Sequence, residues 1–276
     1  MAASSSIREC VADTRVGRIS YHEAGEGPVL LLLHGIGSGA CSWKAQLTGL
    51  SDMRRVIAWN APGYDVSTAL AAEAPAVQDY ADAIKAFLDV LAVDGCDVVG
   101  HSLGALMAAR FACAFPDHVR TLTLAGCAIG HARYDQAERE RLLKSRIGDV
   151  EELGVRGMAE KRGPRLVSAS ASEEMRRQVV ETMANVHQHG YAHASRMLSQ
   201  GDMLGDLGVM PADIPVQFIY GSADVITPPD VNLKAAAMRP NAPVHVIEGA
   251  GHALYVECAE EFNDLVRRYL EACDAR

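Results

Sequence analysis

Val98-Val99-Gly100-His101-Ser102-Leu103-Gly104-Ala105 is the stretch on which the fold of this chain turns. Two β-branched residues precede a Gly-x-Ser-x-Gly pentapeptide, and a run of small and apolar residues, Ala105 to Ala114, follows with helical composition. Alone, such a pentapeptide recurs by chance as a glycine-rich turn with an incidental serine. A strand before it and a helix after it make it a nucleophile elbow. The turn holds the serine in a strained conformation, and glycines stand where a Cβ would strike the neighbouring strand or helix. Ser102 Oγ is then expected at the carboxyl end of a strand, above a helix N-terminus.

Upstream, Arg15 to Glu23 alternates as a strand does, and Gly25-Glu26-Gly27-Pro28 makes a turn. Val29 to Leu33 is a continuous apolar run, the pattern of a strand buried on both faces of a parallel sheet. It ends in His34-Gly35-Ile36-Gly37-Ser38-Gly39. Glycines after a strand could cradle a dinucleotide phosphate. Here the third glycine of that fingerprint is displaced, and no ribose-binding acid follows a second strand. The alternative is a loop whose backbone N–H groups face a substrate oxygen. Arg55 to Trp59 is a third strand, closed by Asn60-Ala61-Pro62-Gly63-Tyr64, and Val77 to Val93 carries apolar residues at helical spacing. Cys96 to Val99 feeds the elbow and His118 to Ala125 is the next strand. The β-α-β-α-β rhythm predicts a parallel sheet with helices on both faces.

From about 131 to 210 no strand is predicted. Helical stretches near 135–147, 149–161, 172–188 and 190–200 are punctuated by Gly148, Gly163-Pro164 and Gly190, with Ser170-x-x-Glu173 as a capping box for the third. Eighty helical residues exceed an ordinary crossover. The expected organisation is a core of 1–130 and 211–276 with a helical cap, 131–210, inserted at the carboxyl edge of the sheet, where ligands bind. The sheet resumes with Val216 to Tyr220 and Gly221-Ser222-Ala223-Asp224. A helix near Pro229–Met238, the strand Val244 to Ile247, Gly249-Ala250-Gly251-His252 and a last helix from about Cys258 to Glu271 follow.

A serine hydroxyl is a poor nucleophile until a base takes its proton, and the base works best when a third group fixes its tautomer. An acid after one late strand and a histidine after the next would meet that need. Asp224 and His252 stand at those positions, on the sheet edge expected for Ser102, and the chain order is Ser, Asp, His. An Asp in a turn or a Gly-flanked His means little singly; three at the right topological positions make a triad.

His34-Gly35, Gly100-His-Ser-Leu-Gly104, Gly221-Ser-Ala-Asp224 and Gly251-His252 together resemble the α/β-hydrolase superfamily over about 15–272. The cap and Ala61-Pro-Gly-Tyr64 are similar to its small capped members: carboxylesterases, enol-lactonases and carbon–carbon bond hydrolases. The resemblance implies an α/β-hydrolase fold, with a mostly parallel doubly wound sheet. It also implies an oxyanion held by the N–H groups of Leu103 and Ile36. Asp65 departs from relatives that carry a second glycine there. The expected reaction is hydrolysis of a small carboxylic ester through an acyl-enzyme. Alternatives are carbon–carbon cleavage of a ring-fission product, enol-lactone hydrolysis, or non-catalytic binding on the same fold. Relatives that cleave carbon–carbon bonds show a proline where this chain has Ser38, and a tryptophan where it has Ala253. Their substrates carry a carboxylate; the cap arginines (Arg133, Arg165, Arg196 among others) are read as surface residues, because spacing alone cannot turn one inward.

Other residues weigh less. Gly37, Cys41 and Trp43 are candidate pocket residues, a core role for Trp43 being as consistent. His101 is read as elbow packing and not a second base, and Asp135 to Arg146 as a solvated helix face. His187-x-His189-x-x-x-His193 has no acid or cysteine close by to complete a metal site, so no metal or cofactor is expected. A net charge of −9 disfavours nucleic acid and anionic membrane surfaces as partners. No apolar run reaches the roughly 18 residues of a membrane span. Met1 to Ile7 lacks the basic and apolar regions of a signal peptide. Seven dispersed cysteines without C-x-x-C suit a reducing cytosol. The expected partner is a small ester or related carbonyl compound, with a homodimer as one option for assembly.

Overall fold

The computed structural model describes residues 6–275. Part of the Met1 to Ile7 reading therefore lies outside the described residues. Eight strands form one sheet: β1 (Arg8–Thr14), β2 (Gly17–Ala24), β3 (Val29–Leu33), β4 (Arg55–Trp59), β5 (Cys96–His101), β6 (Val119–Ala125), β7 (Val216–Gly221) and β8 (Val244–Ile247). Their spatial order is β1-β2-β4-β3-β5-β6-β7-β8. β2 runs antiparallel to β1 and β4, and every other pairing is parallel. The carboxyl ends of β3 to β8 therefore share one edge. Helices α1 (Lys44–Gly49), α2 (Val77–Val90) and α3 (Leu103–Ala114) precede β6. Between β6 and β7 lie α4 (Gln136–Arg162), α5 (Glu173–Ala184), α6 (Gln188–Gln200) and α7 (Met203–Val209). After β7 come α8 (Pro229–Ala236), α9 (Leu254–Glu257) and α10 (Ala259–Asp274). This is the α/β-hydrolase fold with a helical insertion.

The apolar run of β3 is explained by what covers it. Leu31 and Leu33 pack with Val98 against α2 and α3 on one face, while Leu30 and Leu32 pack with Val99 against α1 and α10 on the other. α10 offers Phe262, Val266 and Leu270 at i, i+4, i+8, one apolar stripe on an otherwise polar helix. α3 has no polar face; it is enclosed by the sheet, α2 and α7, and its alanines let those neighbours approach.

The structure departs from expectation where tertiary contacts outweigh local signals. β1 has no counterpart in the sequence pattern: it is an edge strand with only Ala12 buried, so it carries little apolar alternation. The two helical segments expected on either side of Gly148 are the two parts of α4, but the break between them falls at Gly154 (φ 66°, ψ 175°). A glycine in helical conformation costs only about 1 kcal/mol, so Gly148 stays inside the first segment, whereas Gly154 breaks the helix by taking a non-helical φ and ψ. The cap of α5 is Ser172, which accepts from Met175 N at 3.2 Å; Ser170 Oγ instead meets Ser168 Oγ at 2.9 Å. α7 packs on α3 and α8, toward the sheet. Asp65 adopts a positive φ of 47° and accepts from Ser20 Oγ (2.8 Å) and Asn60 Nδ2 (3.2 Å), a structural role.

β5 passes into α3 through Ser102 alone. The turn closes because main chain meets main chain: a Cβ on Gly104 would fall 2.0 Å from Leu33 O, and one on Gly100 2.4 Å from Gly104 O. Gly104→Ala is expected to destabilise by about 3 kcal/mol or more, a fall in Tm of roughly 6–12 °C. Gly148→Ala, whose Cβ meets only Glu152 Oε1 at 3.9 Å, should match or slightly exceed the parent Tm. Equal Tm values for the two variants would contradict this picture of the elbow.

Candidate active site

Three strand ends bring the expected residues together. Ser102, directly after β5, has φ 54° and ψ −116°, a region that costs a non-glycine residue about 1–3 kcal/mol. Its N–H donates to Ala125 O at 2.9 Å, and its carbonyl accepts from Ala105 N at 3.0 Å and Ala128 N at 3.3 Å. Strand pairing and helix start thus hold the strained residue from both sides. Asp224 follows β7 and is 2 % exposed. Its Oδ1 accepts from Ile226 N (2.7 Å) and Thr227 N (2.9 Å), and its Oδ2 from Thr227 Oγ1 (2.8 Å). His252 Nδ1 lies 2.8 Å from the same Oδ2. Burial pushes the Asp224 carboxyl up, but neighbouring His252 and the two backbone N–H groups together hold it below the usual carboxylate range. A carboxylate accepts, so Nδ1–H of His252 donates and Nε2 keeps its lone pair. Ser102 and His252 line one cavity, and among the described residues no hydrogen bond yet joins them.

The loop after β3 is oriented by its carbonyls. Ala61 N donates to His34 Nε2 at 3.0 Å, so the His34 proton sits on Nδ1, which reaches Gly35 O at 2.8 Å. Ser38 N donates to the same oxygen at 3.2 Å. In a trans peptide C=O and N–H point oppositely, so fixing Gly35 O turns Ile36 N–H the other way. The bonds to Ser102 O do the same for Leu103 N–H. Neither N–H has a partner among the described residues, and both residues line the cavity.

The cavity is about 270 Å³. Gly37 lines it, as expected; Cys41 and Trp43 do not. Cys41 is exposed, and Trp43 is fully buried, stacked on Tyr255 with ring centroids 4.0 Å apart. The helical turn 40–43 leaves Cys41 at the surface and sends Trp43 beneath the loop, so neither reaches the cavity. Arg146, Arg162 and Arg165 line the cavity with His131, Gln178 and Thr182. Arg146 ends the charge run expected to be a solvated face, and Arg165 is expected at the surface; both instead reach the cavity. Arg133 does stay outside, paired with Asp202 at 2.7 Å. Arg162 is engaged by Asp149, whereas Arg146 and Arg165 form no ion pair or hydrogen bond among the described residues. His187 stands at the N-cap position of α6 without a capping bond, while the His189 and His193 rings meet tilted, 4.0 Å apart between centroids; no group of three metal-ligating side chains occurs among the described residues.

Several contributors to the site leave no mark in the sequence. Thr227 bridges Asp224 and His252 (Oγ1 to Nδ1, 3.1 Å), and Asn232 ties that loop to the segment after β6, its Nδ2 donating to Thr227 O and its Oδ1 accepting from Cys127 N, both 2.7 Å. No pattern in the chain marks them; they follow only from the loop's path. His101 Nε2 donates to His252 O at 2.8 Å.

Burial drives His34 down to about 4, and burial with the charge of neighbouring His252 drives His101 down to about 3. The unfolded chain binds protons at these rings below about 6.5, the folded one does not. Their stabilisation is therefore complete above that pH and is lost as pH falls toward 4 and 3. Tm should decline between pH 7 and 5, and His101→Gln should flatten the decline; an unchanged slope would contradict the assignment.

Comparisons bear on the whole constellation. The model of the "Alpha/beta hydrolase family" matches residues 30–265. A 2-hydroxy-6-oxononadienedioate/2-hydroxy-6-oxononatrienedioate hydrolase of Pseudomonas putida is 29% identical over 98% of this chain and 97% of its own. An (E)-2-((N-methylformamido)methylene)succinate hydrolase of Acinetobacter baylyi is 28% identical over 91% and 93%. A thermophilic esterase from Thermogutta terrifontis superposes with a TM-score of 0.85 at 24% identity, covering 96% and 99% of the two chains. The enol-lactonase from Burkholderia xenovorans superposes at 0.84 and 20%, covering 95% and 100%. No helix among the described residues is long and apolar enough to cross a membrane. A family match from β3 into α10, on a sheet of this order, establishes that the chain belongs to the alpha/beta hydrolase family.

Proposed function

We propose that the protein is a serine hydrolase cleaving an ester, or a related acyl bond, of a small substrate that carries a carboxylate. One observation carries the reading: Ser102 and the Asp224-held His252 face a cavity whose wall holds three arginines and, among the described residues, no Asp or Glu. In a chain of net charge −9 such a wall selects for an anion. The first two relatives support the carboxylate by their names alone, since one acts on a dienedioate and the other on a succinate.

Ser102 Oγ attacks the carbonyl carbon as His252 Nε2 takes its proton. Asp224 holds the opposite ring N–H and stabilises the imidazolium that forms. The carbonyl oxygen becomes an oxyanion between Ile36 N–H and Leu103 N–H, where each donor is worth about 10²–10³ in rate. Collapse expels the alcohol, which takes the proton from His252. His252 then deprotonates water, which attacks the acyl-enzyme and releases the acid and Ser102. Arg146 and Arg165, lacking acidic partners, bind the distal carboxylate. The helical insertion, read as a cap over 131–210, supplies that wall.

Carbon–carbon cleavage is the second reading, favoured by the same arginines and by the dienedioate hydrolase among the relatives. Against it, Ser38 Oγ is tied to Ser42 Oγ (2.7 Å) and Tyr255 OH (3.1 Å), and Ala253 packs on Val167 and Val179. No proline and no tryptophan shape those positions.

Mono-p-nitrophenyl glutarate and p-nitrophenyl valerate, equal in acyl length, separate the possibilities. The glutarate should have a kcat/KM at least about tenfold higher. Arg146→Gln should erase that margin through KM while leaving the valerate within twofold. Ser102→Ala should lower kcat for both by about 10³-fold or more. Equal rates on the two esters remove the carboxylate; activity retained in Ser102→Ala removes the mechanism. Rapid bleaching of a ring-fission dienolate with feeble ester turnover selects the second reading.

A further inference from the structure

We infer that Glu257 is a positioning residue that ties the loop bearing His252 to the helical insertion; the inference rests on His252 acting as the base. Glu257 ends α9, five residues beyond His252, and reaches back to the residue before it. Its Oε2 accepts from Gly251 N at 2.8 Å and from Ser168 N at 3.0 Å, while Oε1 accepts from Ser168 N at 3.2 Å and from Ser168 Oγ. One carboxylate thus takes donors from the residue preceding His252 and from the segment that follows α4. The residue after His252 is held as well, since Ala253 N donates to Leu166 O at 2.6 Å. His252 is therefore bracketed on both sides by bonds that lead into residues 166–168.

The contact is close because it is main chain against main chain. A Cβ on Gly251 would lie 2.5 Å from both Val167 C and Ser168 N. Val167, Val179 and Ala253 form a small apolar cluster of their own beside these bonds, with Leu166, Met175 and Val256 against it. Arg176 fastens the far side through Ser168 O (3.0 Å) and Ala169 O (2.7 Å). The same segment carries Arg165 and Leu166 into the cavity wall, and Ala253 and Val256 line that wall beside them. The wall that meets substrate and the backbone that sets the base are one hydrogen-bonded unit. Glu257 is the only side chain among the described residues that accepts from both parts of it.

A carboxylate is the group suited to this place. It is acceptor-only and offers lone pairs for several donors at once, and bonds from backbone N–H to an ionised acceptor are roughly twice as strong as neutral ones. A glutamine would present an N–H to one of the donors and leave it unpaired. Loosening the bracket shifts His252 relative to Ser102, and small misplacements at a reacting centre cost up to about 10²-fold in rate.

The test uses the full-length protein and p-nitrophenyl acetate, a neutral ester that needs none of the arginines. Glu257→Ala and Glu257→Gln should lower kcat by about 10–100-fold with KM within twofold. Hydrogen–deuterium exchange should quicken by at least tenfold in both 166–168 and 249–253. Combined with His252→Ala, either substitution should change the residual rate no further, because its effect passes through the base. If kcat stays within twofold, or exchange quickens in only one segment, the tie does not position the base. If the double variant loses activity beyond His252→Ala alone, Glu257 acts on the fold generally and the inference falls. If His252→Ala itself keeps wild-type turnover, the proposed mechanism fails instead. Should Glu257→Ala not fold, Glu257→Gln and Ser168→Ala supply the same readouts.

Discussion

The backbone of Gly104 rests against the carbonyl of Leu33, with space for nothing larger than hydrogen between them. The rest of the site depends on that contact. Because α3 can begin against β3, β5 can end in one residue and turn directly into a helix. That residue must then take a φ of 54°, which lifts Ser102 Oγ out of the sheet toward the cavity. The strain, about 1–3 kcal/mol, is contained by the bonds of Ser102 to Ala125, Ala105 and Ala128 on either side. The close approach and the strain are one device, since a side chain at Gly104 would push the helix away and let the turn relax.

Around this point the protein controls protons by burial. His34 and His101 are enclosed and kept neutral, so each ring has a fixed tautomer: His34 orients the loop that presents Ile36, and His101 holds the backbone of His252. Asp224 is enclosed too but keeps its charge, because His252 and two backbone N–H groups compensate for lost water. The cavity wall reverses the sign of the whole chain, with arginines over a molecule that is otherwise acidic. Under the proposed mechanism these are separate tasks. The sheet edge supplies chemistry, the insertion supplies recognition, and Glu257 joins them.

The parts legible in the sequence are those where local pattern and tertiary demand coincide. β3 reads as buried because a two-faced strand leaves no position for a polar residue. The elbow reads because only glycine fits beside a touching main chain. Asp224 and His252 read because loops at strand ends are short, so topology alone brings them to one edge. What stayed hidden depends on three-dimensional direction. Nothing in the spacing of Arg146 turns it inward, and its place at the end of a dense charge run argued the opposite. Trp43 sat near the loop in sequence yet points beneath it, toward Tyr255. Thr227, Asn232 and Glu257 lie a few residues from expected positions, but their bonds run between loops that no periodicity connects.

The covalent step at Ser102 is the centre of the account, and one experiment sees it directly. The protein is mixed rapidly with p-nitrophenyl acetate, quenched in acid within the first turnover, digested, and its peptides examined by mass spectrometry. The mechanism predicts one equivalent of p-nitrophenolate released in the first turnover and one acetyl group on the Ser102 peptide. That acetyl should disappear at the steady-state rate once substrate is exhausted. An acetyl group confined to another nucleophile, such as exposed Cys41, while turnover proceeds and Ser102 remains unmodified, would contradict it.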